Sequence, residues 1–372
     1  MRVIDADAHV EEHEGTFSDK YLDPAFRHQR PRVVGVDDLA YWMIDEQLFP
    51  RRLGRNPHNL GNPSNYRGRR TWFTSTKKES LESLDLLDPA ARLKDMDAEG
   101  IDVAVLYPGI FVAGPLTASR PLATALCAAY NRWLADTVAG QDRLRWAAVV
   151  NFDDVPAAVR EVREARRLGA VAVMTLGTAG DRLLDDPALL PVFEAIAGED
   201  LTLAVHVGWS CPALSNLYTD LYQNTVIGFL MPLLMGYAAL IAGGVLDRFP
   251  DLRVAFLEAG CQWIHFMTER LEHRFIFASL MAKRFPTAGP KAAHPPMEYL
   301  RRGNIYFSAE VEDRLLPEVI ELVGEEQIIF GSDMPHGDRE PFAARALQER
   351  RDLSDAAKRK ILEDNPRRLY RL

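Results

Sequence analysis

Four stretches that read as strands each end in an acid or an imidazole. Asp5, Asp7 and His9 alternate in Ile4-Asp5-Ala6-Asp7-Ala8-His9, His206 closes a second stretch, Glu258 a third, and Asp333 a fourth in Gly331-Ser332-Asp333-Met334-Pro335-His336. Residues two apart on a strand share a face, so the first three point together. Acids buried singly each need a partner of their own, whereas one metal site satisfies carboxylates and imidazoles together. The spacing therefore predicts a metal centre with Asp7, His9, His206, Glu258 and Asp333 as ligands. Glu12, three residues past His9, is a sixth candidate that bends back toward the site. Asp333 and Glu258 are the candidate proton-transfer groups, and His336 is placed to orient the Asp333 carboxylate.

Such convergence needs strands whose ends meet. Short β-branched apolar runs at 3–9, 101–107, 144–151, 170–176, 201–207, 252–257, 304–307 and 327–331 read as eight strands. Segments 122–139, 156–168, 187–197, 263–285, 316–323 and 354–363 carry apolar residues at helical spacing. Strand and helix alternate, which predicts a (β/α)8 barrel of the TIM type, one domain over residues 1–372 with its chemistry at the C-terminal strand ends. Residues 10–85 form a long insertion after strand one, read as a lid. They hold the basic residues Arg51, Arg52, Arg55, Arg67, Arg69 and Arg70, suited to an anionic handle such as a carboxylate or a CoA ester. The apolar stretch 209–241, with Trp42, Trp72 and Phe73, is expected to wall a pocket for a hydrophobic small molecule.

Composition narrows the classes. The 372 residues carry 44 basic against 53 acidic side chains, a net charge of -9, which excludes nucleic-acid binding through bulk charge. Membrane insertion is not expected, since no uninterrupted apolar run reaches about 18 residues. Three widely spaced cysteines make neither a disulfide framework nor a CxxC knuckle, as expected in the cytoplasm. Nucleotide, flavin and nicotinamide sites are not expected, because no Gly-x-Gly-x-x-Gly run or Gly-Lys-Ser/Thr occurs.

The stretches Asp5-Ala6-Asp7-Ala8-His9, His206-Val207-Gly208, Phe256-Leu257-Glu258-Ala259-Gly260, Gly331 to His336 and Asn365-Pro366-Arg367-Arg368-Leu369-Tyr370 together resemble the amidohydrolase-related branch of the amidohydrolase superfamily. The resemblance spans nearly the whole chain and implies a (β/α)8 barrel. Asp7-x-His9 stands where that family has His-x-His, His206 matches its strand-five ligand and Asp333 its strand-eight acid. Strand four has no Lys for a bridged two-metal hydrolase site, and Glu258 stands where the branch's decarboxylases have a His. Pairing of two chains is expected by analogy with the family.

Two imidazoles and four carboxylates exceed what one ion needs and suit a pair of irons. That inventory resembles the branch's non-haem di-iron monooxygenases. The leading expectation is therefore O2-dependent hydroxylation of a hydrophobic natural-product scaffold, with two iron ions and an external reductant. The alternative is a hydrolase or non-oxidative decarboxylase with one zinc or manganese, in which bound water is acidified to a pKa of about 7 or a carboxylate acts as base.

Overall fold

The computed structural model describes residues 1–36, 39–49, 65–66, 69–70, 81–337 and 339–372. Eight strands form one sheet in sequence order: β1 (Ile4–Val10), β2 (Val103–Pro108), β3 (Leu144–Val149), β4 (Ala172–Leu176), β5 (Thr202–His206), β6 (Val254–Leu257), β7 (Ile305–Ala309) and β8 (Ile328–Phe330). Every neighbouring pair is parallel. The first and last strands meet through the turn after β8, where Asp333 N–H donates to Asp7 C=O at 3.0 Å and His9 N–H to Met334 C=O at 2.7 Å. These two bonds close the barrel beside the predicted ligands. The expected (β/α)8 architecture is thus observed, with each expected strand matched to within a few residues.

The intervening helices are α1 (Pro89–Glu99), α2 (Arg120–Thr137), α3 (Val155–Arg167), α4 (Leu190–Gly198), α5 (Met231–Ala242), α6 (Gln262–Ala282), α7 (Leu316–Val323) and α8 (Ala343–Glu349). Their starts are written locally: Asp154 accepts the N–H of Ala157 at 3.2 Å to cap α3, and Pro156 sits in its first turn. Buried Ala158, Val162 and Ala165 then give α3 the apolar stripe that seats it on the barrel. α1 lies outside the expected set although Asp88-Pro89 starts it and left-handed Gly100 ends it.

The described part of the 10–85 insertion includes a three-stranded antiparallel sheet, Arg32–Val36, Leu39–Ile44 and Gln47–Phe49. Trp42 does not wall a pocket. It is fully buried in a small second core with Phe17, Leu22, Ile44 and Leu126. Trp72, Phe73, Arg51, Arg52, Arg55 and Arg67 lie outside the described residues, and Arg69–Arg70 pairs with Asn65–Tyr66.

The apolar cover after β5 also packs inward. Leu221–Ala242 is long and apolar enough to cross a membrane, but half of that stretch is buried in the protein. It lies directly on the end of β4: a Cβ at Gly177 would fall 1.8 Å from the carbonyl oxygen of Pro232, so only glycine permits this approach. Tyr237 is buried against Phe256 and Trp263 with its hydroxyl 2.7 Å from Thr268 Oγ1, and Trp209 packs on Phe229. These aromatics serve as core.

Candidate metal centre

His9 and His206 face each other across the barrel mouth, fully buried, with their Nε2 atoms 3.2 Å apart. Each ring's other nitrogen is engaged by backbone. His9 Nδ1 lies 3.2 Å from Pro108 C=O and His206 Nδ1 2.8 Å from Val207 C=O. A carbonyl only accepts, so both Nδ1 atoms carry the proton and both Nε2 lone pairs face inward, as metal ligands require.

Three carboxylates close around these lone pairs. Asp7 Oδ1 is 3.7 Å from His9 Nε2 and 3.5 Å from His206 Nε2, and Glu258 Oε2 is 3.3 and 3.2 Å from the same atoms. Asp333 Oδ1 is 3.6 Å from His9 Nε2. Asp7 Oδ1 and Glu258 Oε2 are buried with no hydrogen-bond partner among the described residues. Leaving such oxygens unsatisfied costs several kcal/mol each, on the order of the burial penalty for a charged group, and a cation at the common point removes that cost. The residues present therefore fit a divalent ion.

The backbone is bent to make this set. Glu258 and Asp333 have φ of 57° and 56°, the left-handed region that costs a non-glycine residue roughly 1–3 kcal/mol. The turn carrying Asp333 is held from below by Asp5. Its carboxylate accepts Ser332 N–H at 3.0 Å and Ser332 Oγ–H at 2.5 Å. Asp5 thus braces the turn that carries Asp333. Arg92, buried on α1, donates to His9 C=O at 2.8 Å and to Ser83 C=O, fixing the end of β1. No local motif marks Arg92 for that task.

The profile of the amidohydrolase family matches residues 4–372. The chain belongs to that family. Among solved structures, this amidohydrolase is similar to one from Mycobacterium avium subsp. paratuberculosis, at 23% identity, with a TM-score of 0.79 over 99% of both chains. It also shares the fold of the manganese-bound 5-carboxyvanillate decarboxylase of Novosphingobium aromaticivorans, at 24% identity and a TM-score of 0.64, covering 78% of this chain and 81% of that one. A curated relative, the 2-amino-3-carboxymuconate-6-semialdehyde decarboxylase of Dictyostelium discoideum, is 22% identical over 285 residues, 75% of each chain.

Two of those relatives overturn the expected di-iron monooxygenase, with its two irons, O2 and reductant: the Dictyostelium and Novosphingobium proteins are decarboxylases, and the structure of the second holds manganese. The geometry supplies the physical reason. Glu12 does not join the cluster. Its two oxygens accept the backbone N–H groups of Gly109 at 3.2 Å and Ile110 at 2.9 Å, tying the end of β1 to the loop after β2. Without Glu12, the side chains close enough to share an ion fall into two overlapping groups, His9 with Glu258, Asp333 and His336, and Asp7 with His9 and His206.

Burial pushes Glu12 up to about 8, against the backbone N–H of Ile110, which pulls it down. A carboxyl raised in the folded state contributes stability below its unfolded value, and that contribution is lost as pH rises through about 8. Glu12→Gln removes this dependence. Its thermal midpoint should gain on the wild type between pH 5 and pH 8, while metal content by elemental analysis stays at the wild-type level. Loss of the metal from this variant would return Glu12 to the ligand set.

Before metal binds, the cluster's charges are uneven. Burial, reinforced by the charge of His336, lowers His9 to about 4. Burial also opposes protonation of His206, but Glu258 and Asp7 outweigh it and hold His206 well above the ordinary histidine value. His206 in turn holds Glu258 far below the usual carboxylate range despite its burial. A proton and a metal thus compete for one place. His336 lies close enough to His9, Glu258 and Asp333 to share an ion with them, with Nδ1 2.5 Å from Asp333 Oδ1 and Nε2 3.8 Å from Glu11 Oε1. Burial works against its charge, yet Asp333 raises it to about 10.

A cavity of about 160 Å³ opens beside the cluster, lined by Asp7, Glu258, Ser308, Glu310, Asp333 and Arg339 among others. Glu310 and Arg339 were not singled out from sequence. Glu310 follows β7 and was legible as a strand-end acid, whereas Arg339 stands in an irregular loop without a pattern.

Proposed function

We propose that this amidohydrolase is a cytoplasmic, metal-dependent, non-oxidative decarboxylase of small aromatic or unsaturated carboxylic acids. Its ion is a single manganese or zinc held by His9, His206, Asp7, Glu258 and Asp333. The observation that carries the reading is the pair of Nε2 atoms facing two buried carboxylate oxygens that have no hydrogen-bond partner among the described residues. Decarboxylases on the same fold support it. When bound, the ion would supply Lewis acidity that draws electron density from the substrate and orients its oxygens.

The chain's own residues manage the proton. Cleaving the bond between carbon and carboxylate releases CO2 and leaves an electron pair on carbon, which must be protonated. His336 holds a proton on Nδ1 against Asp333 Oδ1, on the wall of the cavity. Delivered through Asp333 to the carbon, it completes the exchange of CO2 for H, and a proton from solvent then restores the His336 imidazolium at Nδ1. The low accessibility of the cluster limits competing water.

Manganese-loaded protein given 5-carboxyvanillate or related hydroxybenzoates should release one CO2 per product formed, with no O2 uptake at an oxygen electrode. Metal-loaded protein that releases no CO2 from any of these acids would sink the reading.

A further inference from the structure

β1 departs from regular pairing just where it carries a proposed ligand. Its register against β2 is irregular between Asp5 and Ala8, and neither Ala6 nor Asp7 has a partner residue on β2. The peptide unit joining those two residues is instead held by side chains at both of its polar ends. Asp5 Oδ1 accepts Asp7 N–H at 3.2 Å, and the Tyr370 hydroxyl donates to Ala6 C=O at 2.8 Å. Tyr370 comes from the far end of the chain. It ends the closing helix Asn365–Tyr370, whose Leu369 C=O accepts Thr202 Oγ1–H at the start of β5 and Arg253 Nε–H just before β6, both at 2.7 Å. Asn365 Nδ2 fastens the same helix to the Ile328 C=O of β8 at 2.6 Å. The tail is thus anchored at the strand starts, opposite the metal cluster, and the Tyr370 side chain, 2% exposed, reaches inward from there.

A hydroxyl carries one proton. Tyr370 gives its own to Ala6 C=O, so the 2.8 Å contact between the Tyr370 and Tyr107 hydroxyls runs from Tyr107 to the Tyr370 oxygen. The fully buried Tyr107 ring stands behind both imidazoles, with its centroid 6.2 Å from that of His9 and 5.9 Å from that of His206. One oxygen atom therefore joins the backbone leading into Asp7 to the aromatic wall behind His9 and His206. We propose that Tyr370 is a positioning residue for the metal centre, its hydroxyl fixing the Ala6–Asp7 peptide and the Tyr107 ring so that Asp7, His9 and His206 stay within reach of one ion. The inference rests on those three side chains being metal ligands and is independent of the reaction catalysed.

Removing one oxygen tests it. Manganese is titrated into the metal-free proteins, and the free manganous ion is counted by its electron paramagnetic resonance signal. Tyr370→Phe keeps the ring and should raise the manganese Kd roughly 10-fold, the lower end of the range for groups that support a ligand without touching the ion. Because that change leaves the Tyr107 hydroxyl without its acceptor, Tyr107→Phe/Tyr370→Phe is titrated alongside it and should show a loss of similar size. Thr202→Val loosens the closing helix at Leu369 C=O and leaves the Ala6–Asp7 peptide alone. It should lower the thermal midpoint of the metal-free protein while the manganese Kd stays within about twofold of wild type. If the Kd of both Phe variants is no higher than that of Thr202→Val, the inference is overturned and the tail is only a brace. Wild type that binds no manganese overturns the metal reading beneath it as well.

Discussion

His206→Ala should strip the metal and abolish turnover, with a metal affinity more than about 100-fold below wild type, since even residues that only support a ligand cost 10- to 100-fold. Dialysis against chelator followed by elemental analysis reads the first effect, and CO2 release the second. The metal-free protein distinguishes the two histidines. His206 is held charged by Glu258 and Asp7, so removing it leaves two buried carboxylates without a cation, which costs about 3–5 kcal/mol. His9, pushed down to about 4, is neutral there, and His9→Ala should cost less. The sign with pH follows. A histidine raised in the folded state contributes fully below its unfolded value near 6.5 and loses that contribution as pH rises through the raised one. Chelated His206→Ala should therefore fall furthest behind chelated wild type near pH 6 and recover as pH climbs. Equal losses for both histidine variants, flat with pH, would refute this charge assignment.

The sequence exposes the barrel because each strand is a short apolar run ended by a polar residue, and the alternation of strands and helices leaves few topologies. It exposes His9, His206, Glu258 and Asp333 for the same reason: all stand where a strand stops, and in a closed barrel those ends converge. Glu12 shows where such reasoning fails. Counting carboxylates near a site takes no account of oxygens already occupied, and the Glu12 oxygens belong to Gly109 and Ile110, nearly a hundred residues away along the chain. One misplaced acid enlarged the carboxylate inventory and carried the di-iron expectation with it. Trp42 failed for a related reason, since an aromatic in an insertion reads equally as pocket or core, and long-range packing made it core. Arg92 and Arg339 were invisible because their roles depend on partners from other elements, His9 C=O for one and Glu99 for the other.

Asp333→Asn should separate proton transfer from metal binding. Asp333 is one of the five proposed donors and touches His336 at 2.5 Å, so on that proposal the variant loses its proton path while four donors remain. Turnover should fall by about 10²- to 10⁴-fold, the span for a positioned acid or base, with metal content reduced far less than in His206→Ala. His336 gives an independent readout. The Asp333 carboxylate is the chief influence lifting it to about 10 against burial, so in the metal-free variant its ring should titrate several units lower by NMR. The stability linked to that pair is complete below pH 6.5 and disappears as pH rises through about 10, because the imidazolium it rewards is then lost in both proteins. Metal-free wild type should accordingly exceed metal-free Asp333→Asn most at neutral and mildly acidic pH, and the two should converge near pH 10. An unchanged His336 titration, or turnover within a few-fold of wild type, would place the catalytic proton elsewhere on the cavity wall, where Glu310 is the remaining carboxyl raised toward neutrality, to about 7.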